Sequence, residues 1–196
     1  QHRCRVLLEQ YLRNCGSHRT ALGHQQFVIK KLETVALKVQ EAPNDKRIEG
    51  LHQELGDLVF PRRFQLPLSP HIELNGLVVE KCRFMSSAKK PLWLAFSQAK
   101  RGAPLYQVMF KTGDDLRQDQ LTLQVLHIMD RVWKTEGLDL CMNPYGCTST
   151  GSMQGMLEIV QNSDTLANIL KNETLRNLRK QSGLTAKRAV LNEVMK

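Results

Sequence analysis

No apolar run in this chain exceeds the five residues 92–96. A bilayer-spanning helix needs about 20 such residues, and the amino terminus has no apolar core of the kind a secretion signal carries. Aromatic residues make up only 6% of the chain, too few for a base-stacking surface. Basic residues outnumber acidic ones 28 to 19, a formal charge of +9. That excess invites a polyanion, either nucleic acid or an anionic membrane face. The charges come as pairs, however: Lys30-Lys31, Arg62-Arg63, Lys89-Lys90 and Lys100-Arg101. Without a basic run or stacking aromatics, no nucleic-acid partner is expected, and most of these charges read as solvated faces. Cys4, Cys15, Cys82, Cys141 and Cys147 show no metal-ligand spacing. Their odd number argues against a disulfide framework, so reduced intracellular thiols are expected. His18, His24 and His52 do not cluster either, and read as surface or capping residues.

What is present is enough for a core: 196 residues, 41% of them apolar. Residues 3–14 form an amphipathic helix closed by Gly16. Residues 21–41 form a second, with Phe27, Ile29, Leu32, Val35, Leu37 and Val39 as its stripe. Residues 46–59 form a third, with Ile48, Leu51, Leu55 and Leu58 at spacings of three and four. Pro61, Pro67 and Pro70 punctuate an extended connector. Strands are then expected at 77–84, 91–96 and 105–111, joined by short turns that favour an antiparallel sheet. A long helix follows over 115–136. Its stripe of Leu121, Val125, Ile128 and Val132, widened by Leu116, Leu123 and Leu126, predicts that much of it is buried, with Trp133 in the core. Two or three more strands fall within 138–150 and 155–160. Ser163 or Asp164 caps a short helix to residue 170, and 172–181 and 184–196 read as helical. The fold class is α+β: an antiparallel sheet and a long helix, preceded by a helical segment. The chain opens in one helical pattern and closes in another, so a fragment of a longer polypeptide is expected.

The stretch from Gln107 to Asp119 carries the chemistry. Tyr106, Val108 and Phe110 point one way from a strand; Leu105, Gln107, Met109 and Lys111 point the other. A lysine ending such a strand wants an anion. Gly113 makes the turn, and Asp114 or Asp115 caps the helix behind it, where acids suit the helix dipole. Asp119, one turn on, can reach back to Lys111, the lysine–acid arrangement that phosphoryl-transfer enzymes use to grip a nucleotide. In the turn after residue 84, Ser86, Ser87 and Ala88 let a ligand approach the backbone, and Lys89 adds positive charge, a loop suited to phosphate oxygens. It is not a Walker loop, because the Gly-Lys-Ser/Thr ending is absent.

The string Lys111-Thr-Gly-Asp-Asp-Leu-Arg-Gln-Asp119 resembles the signature of the phosphatidylinositol 3- and 4-kinase family. Met85-Ser-Ser-Ala-Lys-Lys-Pro-Leu-Trp93 is similar to the phosphate-loop hairpin of class I phosphatidylinositol 3-kinase catalytic subunits, Pro144-Tyr-Gly-Cys147 to a following strand, and Gly155-Met-Leu-Glu-Ile-Val160 to their interlobe hinge. The resemblance implies a kinase-like N-lobe over 78–160, reached from the end of a helical domain (1–16) through a helical linker (17–77), with a truncated C-lobe starting at 161. It assigns Lys111 to the ATP α-phosphate with Asp119 near it, and Ser86, Ser87 and Lys89 to the β- and γ-phosphates. It assigns Met85, Trp93 and Met109 to the adenine walls and Tyr145 and Leu157 to the inner side of the pocket. Glu158 and Val160, flanking Ile159 in the hinge, are to offer backbone hydrogen bonds, with Ser163 at the rim. The implied activity is transfer of phosphate from ATP, with Mg2+, to the inositol 3-hydroxyl of phosphoinositides such as phosphatidylinositol 4,5-bisphosphate. The implied setting is cytoplasmic, recruited to the plasma membrane with a regulatory adaptor subunit. Two departures stand out. Gln120 replaces the Met usual in class I, and neither the Asp-Arg-His catalytic loop nor the metal-holding Asp-Phe-Gly occurs by Lys196. No catalytic or metal-ligand residue is therefore assigned within the chain. A non-catalytic nucleotide-binding or scaffolding fragment is the alternative.

Overall fold

The computed structural model describes residues 2–164 and Asn168. The chain divides into one unit ending at Ile159 and another beginning at Val160. The first unit contains α1 (His2–Asn14), α2 (His18–Glu41), α3 (Arg47–Gly56), β1 (Phe64–Leu66), β2 (Ser69–Leu77), β3 (Arg83–Phe84), β4 (Leu92–Gln98), β5 (Tyr106–Thr112), α4 (Arg117–Thr135), β6 (Cys147–Gly151) and β7 (Gln154–Glu158). The strands make one antiparallel sheet in the order β1-β2-β4-β5-β7-β6, with β3 beside β4.

The alternation in β5 settles the two faces of the sheet. Tyr106, Val108, Phe110 and Thr112 are buried; Gln107, Met109 and Lys111 are half-buried. The buried set shares one cluster with Leu92, Leu94 and Phe96 of β4, Met156 of β7, and Val28, Leu32, Val35, Ala36 and Val39 of α2. Residues 28, 32, 35, 36 and 39 recur at helical spacing and turn one face of α2 onto β1 and β5. The α2 stripe read from sequence was rotated: Phe27 and Leu37 are exposed, while Val28 and Ala36 take inward positions. Leu51 and Leu55 of α3 complete the core, and Ile48 faces out.

Four further expectations need correction. The proline-marked connector holds strands β1 and β2. Pro70 is tolerated because β4 pairs with β2 only at Leu74, Gly76 and Leu77, so the missing N–H costs no bond to β4. The single strand expected over 77–84 is broken by a 3₁₀ turn, Val79–Lys81. Val79 and Cys82 both pack on the core, and residues three apart share a side in a 3₁₀ turn but not in a strand. Residues 138–146 form no strand. Finally, α4 is mostly exposed. Leu123 is its one buried residue; Leu121, Val125, Ile128 and Val132 face outward, and Trp133 is half-exposed. The helix rests on the β6 side of the sheet near its own start, and its remaining apolar stripe is turned away from this unit. Helix α1 likewise buries no residue.

In the second unit, Asn162 takes a left-handed φ of 53° and Ser163 Oγ donates to Val160 O at 2.8 Å. The helices expected at 163–170, 172–181 and 184–196 fall outside the described residues, apart from Asp164 and the helical Asn168.

Candidate nucleotide-binding face

Strand register places three of the expected pocket residues in one row: Trp93 and Met109 of the adenine walls and Leu157 of the inner side. Trp93 on β4 pairs with Met109 on β5, Met109 with Leu157 on β7, and Leu157 with Cys147 on β6. Directly paired residues project to the same side of a sheet, about 4.8 Å apart from strand to strand. One step along that side, Lys111 pairs with Gly155, and Gly155 with Ser149. This is the face opposite the α2 core. The guanidinium of Arg83 stacks over Trp93 with 4.2 Å to the ring centroid, so one side of that indole is already covered. No pattern in the sequence signalled that contact, because it depends on the β3–β4 register.

The start of α4 closes the β6 end of this face. A Cβ on Gly155 would lie 2.7 Å from Leu116 Cδ1 and 2.5 Å from Thr148 O, so only glycine lets the helix come this close. Gln120 Oε1 accepts from Ser149 N at 3.4 Å, tying α4 to β6.

The phosphate-side residues gather around Gly113. Its φ of 84° needs glycine, and a Cβ there would meet Lys89 Cδ at 3.2 Å and Nζ at 3.3 Å. The Lys89 arm therefore crosses the turn that follows Lys111. Gly113 N and Asp114 N both donate to Met153 O, at 2.7 and 3.2 Å, fixing the turn to the β6–β7 connection. Met85 N donates to Pro91 O at 2.9 Å and closes the β3–β4 hairpin, with Ser86 and Ser87 exposed at its tip.

The partner of Lys111 differs from the expected one. Its Nζ lies 3.7 Å from Asp114 Oδ2, and Asp119 is exposed on α4. The turn at Gly113 brings Asp114 back to the strand end. Asp119 instead shares a cleft of about 310 Å³ with Tyr145, Gln118, Thr122, Leu123 and Leu126. Cys147 feels the charges of both Asp119 and Lys111. Burial pushes its thiol above the usual value, the Asp119 carboxylate pushes the same way, and the Lys111 ammonium opposes both. Asp115 does the capping: its carboxylate accepts from Arg117 N at 3.1 Å and from Arg117 Nη2 at 2.5 Å. The Arg117 side chain and then its backbone N–H lower the carboxyl to about 2.

At the far end of the row, Glu158 and Gly146 exchange bonds. Glu158 N donates to Gly146 O at 2.8 Å, and Gly146 N to Glu158 Oε2 at 2.9 Å. The Glu158 N–H is thus committed, leaving at most its carbonyl for a ligand. This exchange sets Tyr145 beside the end of β7. Ile159 is half-buried, and Val160 and Ser163 belong to the second unit. Among the described residues, no three His, Cys, Asp or Glu side chains gather where a metal ion could bind.

The arrangement can accept a flat apolar group over Trp93, Met109 and Leu157, with anionic oxygens toward Lys111 and Lys89. Residues 105–192 match the family described as phosphatidylinositol 3- and 4-kinase. Phosphatidylinositol 3-kinase 2 of Dictyostelium discoideum is 50% identical over 172 residues, 87% of this chain and 9% of that protein. Phosphatidylinositol 3-kinase 1 of the same organism is 48% identical over 168 residues, 86% of this chain and 11% of its own length. Phosphatidylinositol 3-kinase 3 is 41% identical over 169 residues, 85% of this chain and 10% of its own length. The chain thus spans about a tenth of the length of these curated relatives. Residues 105–192, which contain the whole string from Lys111 to Asp119 and strands β5, β6 and β7, thus belong to the phosphatidylinositol 3- and 4-kinase family.

Proposed function

We infer that this chain is the nucleotide-gripping part of a phosphatidylinositol 3-kinase catalytic subunit. The observation carrying this reading is the shared face of Trp93, Met109, Leu157 and Lys111 on three adjacent strands. Adenine packs against the first three, and Lys111 meets the α-phosphate. Ser86, Ser87 and Lys89 cover the outer phosphates from the β3–β4 turn. Met85 and Tyr145 border the adenine, and the carbonyl of Glu158 faces its edge. Phosphoryl transfer depends mainly on positioning and on neutralising charge at the phosphates, and two lysines flanking one glycine turn suit both needs. Mg2+ supplies further neutralisation in such reactions.

The substrate we assign is the inositol 3-hydroxyl of a phosphoinositide, with phosphatidylinositol 4,5-bisphosphate as the class I choice. The +9 charge suits an anionic membrane surface at the cytoplasmic side, reached with an adaptor subunit. The test uses the full-length protein with γ-labelled ATP, Mg2+ and vesicles containing either phosphatidylinositol or its 4,5-bisphosphate. The expected result is label at the 3-position of the bisphosphate. Label at the 4-position, or none on lipid, would contradict the reading; label on phosphatidylinositol alone would overturn the class I assignment.

A further inference from the structure

Helix α2 reaches the phosphate end through one side chain. Gln40 Nε2 is 2.7 Å from Lys89 O, 2.8 Å from Thr112 Oγ1 and 3.4 Å from Thr112 O. Lys89 belongs to the β3–β4 turn, and Thr112 follows Lys111 at the end of β5. The two are brought to a single amide from opposite sides of the proposed phosphate site. Every partner can accept, and two are carbonyls that can do nothing else, so the nitrogen and not the oxygen of the amide must face them.

We propose that Gln40 is a positioning residue that sets the spacing between the phosphate-covering turn and Lys111; this rests on the ATP reading above. Lys90 shows why a brace is needed. Its φ of 44° lies in a region that residues with a β-carbon rarely take unless their surroundings hold them there. The peptide joining Lys89 to Lys90 is pinned at both ends. Its carbonyl accepts from Gln40, and its N–H donates to Ser87 O at 3.1 Å. The mount for Gln40 is itself stiff. Buried Arg47 donates to Val39 O at 2.8 Å and to Ala42 O, fixing the end of α2 on both sides of residue 40. Thr112 is also buried, so the brace runs from a fixed helix end to a fixed strand end, with the turn as the part it restrains. Gln40 has no atom assigned to the ligand, so its effect acts through the turn.

The experiment compares Gln40→Glu and Gln40→Leu with wild type and Lys111→Ala in the full-length kinase. The glutamate keeps the shape but aims a carboxylate at two carbonyls; the leucine fills the space without a donor. Both are expected to raise KM for ATP, the glutamate by about tenfold and the leucine by about fivefold, as the loss of ordinary hydrogen bonds implies. We expect kcat within about threefold of wild type and KM for the lipid unchanged. Hydrogen exchange of the 86–90 amides should speed up in both variants while that of Val108 and Phe110 does not. If Lys111→Ala destroys activity but both Gln40 variants keep wild-type KM for ATP and exchange, the positioning role is wrong and the ATP face stands. If either variant speeds exchange across β5 as well, Gln40 is structural and the proposal is overturned. If Lys111→Ala is itself indifferent to ATP, the ATP reading has failed first.

Discussion

Lys111→Ala is expected to lower kcat/KM of the full-length kinase by at least about 10²–10³-fold while leaving the fold in place. The lysine stands on the face opposite the core, and its side chain is 25% exposed beside Asp114. Its backbone remains paired with Gly155 of β7 whatever the side chain. Stability therefore draws little on the ammonium, since a partly exposed ion pair at 3.7 Å contributes on the order of 1 kcal/mol or less. A charge aimed at phosphate in a partly enclosed site acts mainly on the transition state. Steady-state kinetics and a melting curve on the same preparation separate the two effects. Near-normal turnover would remove Lys111 from the site, and a large drop in melting temperature would make it structural.

One residue away, the expected effect reverses. Phe110 is fully buried between the strands and α2, within the same cluster as Leu92, Leu94 and Met156. Truncating such a ring leaves a cavity and costs about 3–5 kcal/mol. Met109 lies on the other face and is half-buried, so Met109→Ala should cost about 1 kcal/mol or less in stability. It should instead weaken ATP binding, because it removes the middle of the Trp93–Met109–Leu157 row. Hydrogen exchange of the β4 and β5 amides in the full-length protein reads the local opening free energy directly. Phe110→Ala should lower it by about 3–5 kcal/mol, and Met109→Ala should leave it nearly unchanged. Equal losses in the two variants would mean that the faces have been assigned wrongly.

The contrast between neighbours shows what could be read without coordinates. The two faces of β5 were legible because a strand alternates with a period of two, and each residue's side follows from parity alone. The existence of α4 was legible too, but its burial was not. An apolar stripe says that something should cover a helix; it does not say that the cover belongs to the same folded unit. Leu121, Val125, Ile128 and Val132 are exposed. The pairing of Lys111 with Asp114 is not legible in the sequence, because helical spacing favours Asp119 and only the left-handed turn at Gly113 folds Asp114 back. The Arg83–Trp93 stack and the Gln40 brace left no trace in any local pattern. Both join residues whose closeness depends on how separate elements pack.

The most direct measurement of the central claim is the map of lysines modified by an acyl-phosphate derivative of ATP in the full-length kinase. Such a probe acylates whichever amine lies beside the bound phosphates. The account predicts modification of Lys111, with Lys89 second, and competition by unmodified ATP at both positions. ATP-sensitive modification at a lysine remote from the Gly113 turn, such as Lys31 or Lys100, with Lys111 untouched, would contradict it.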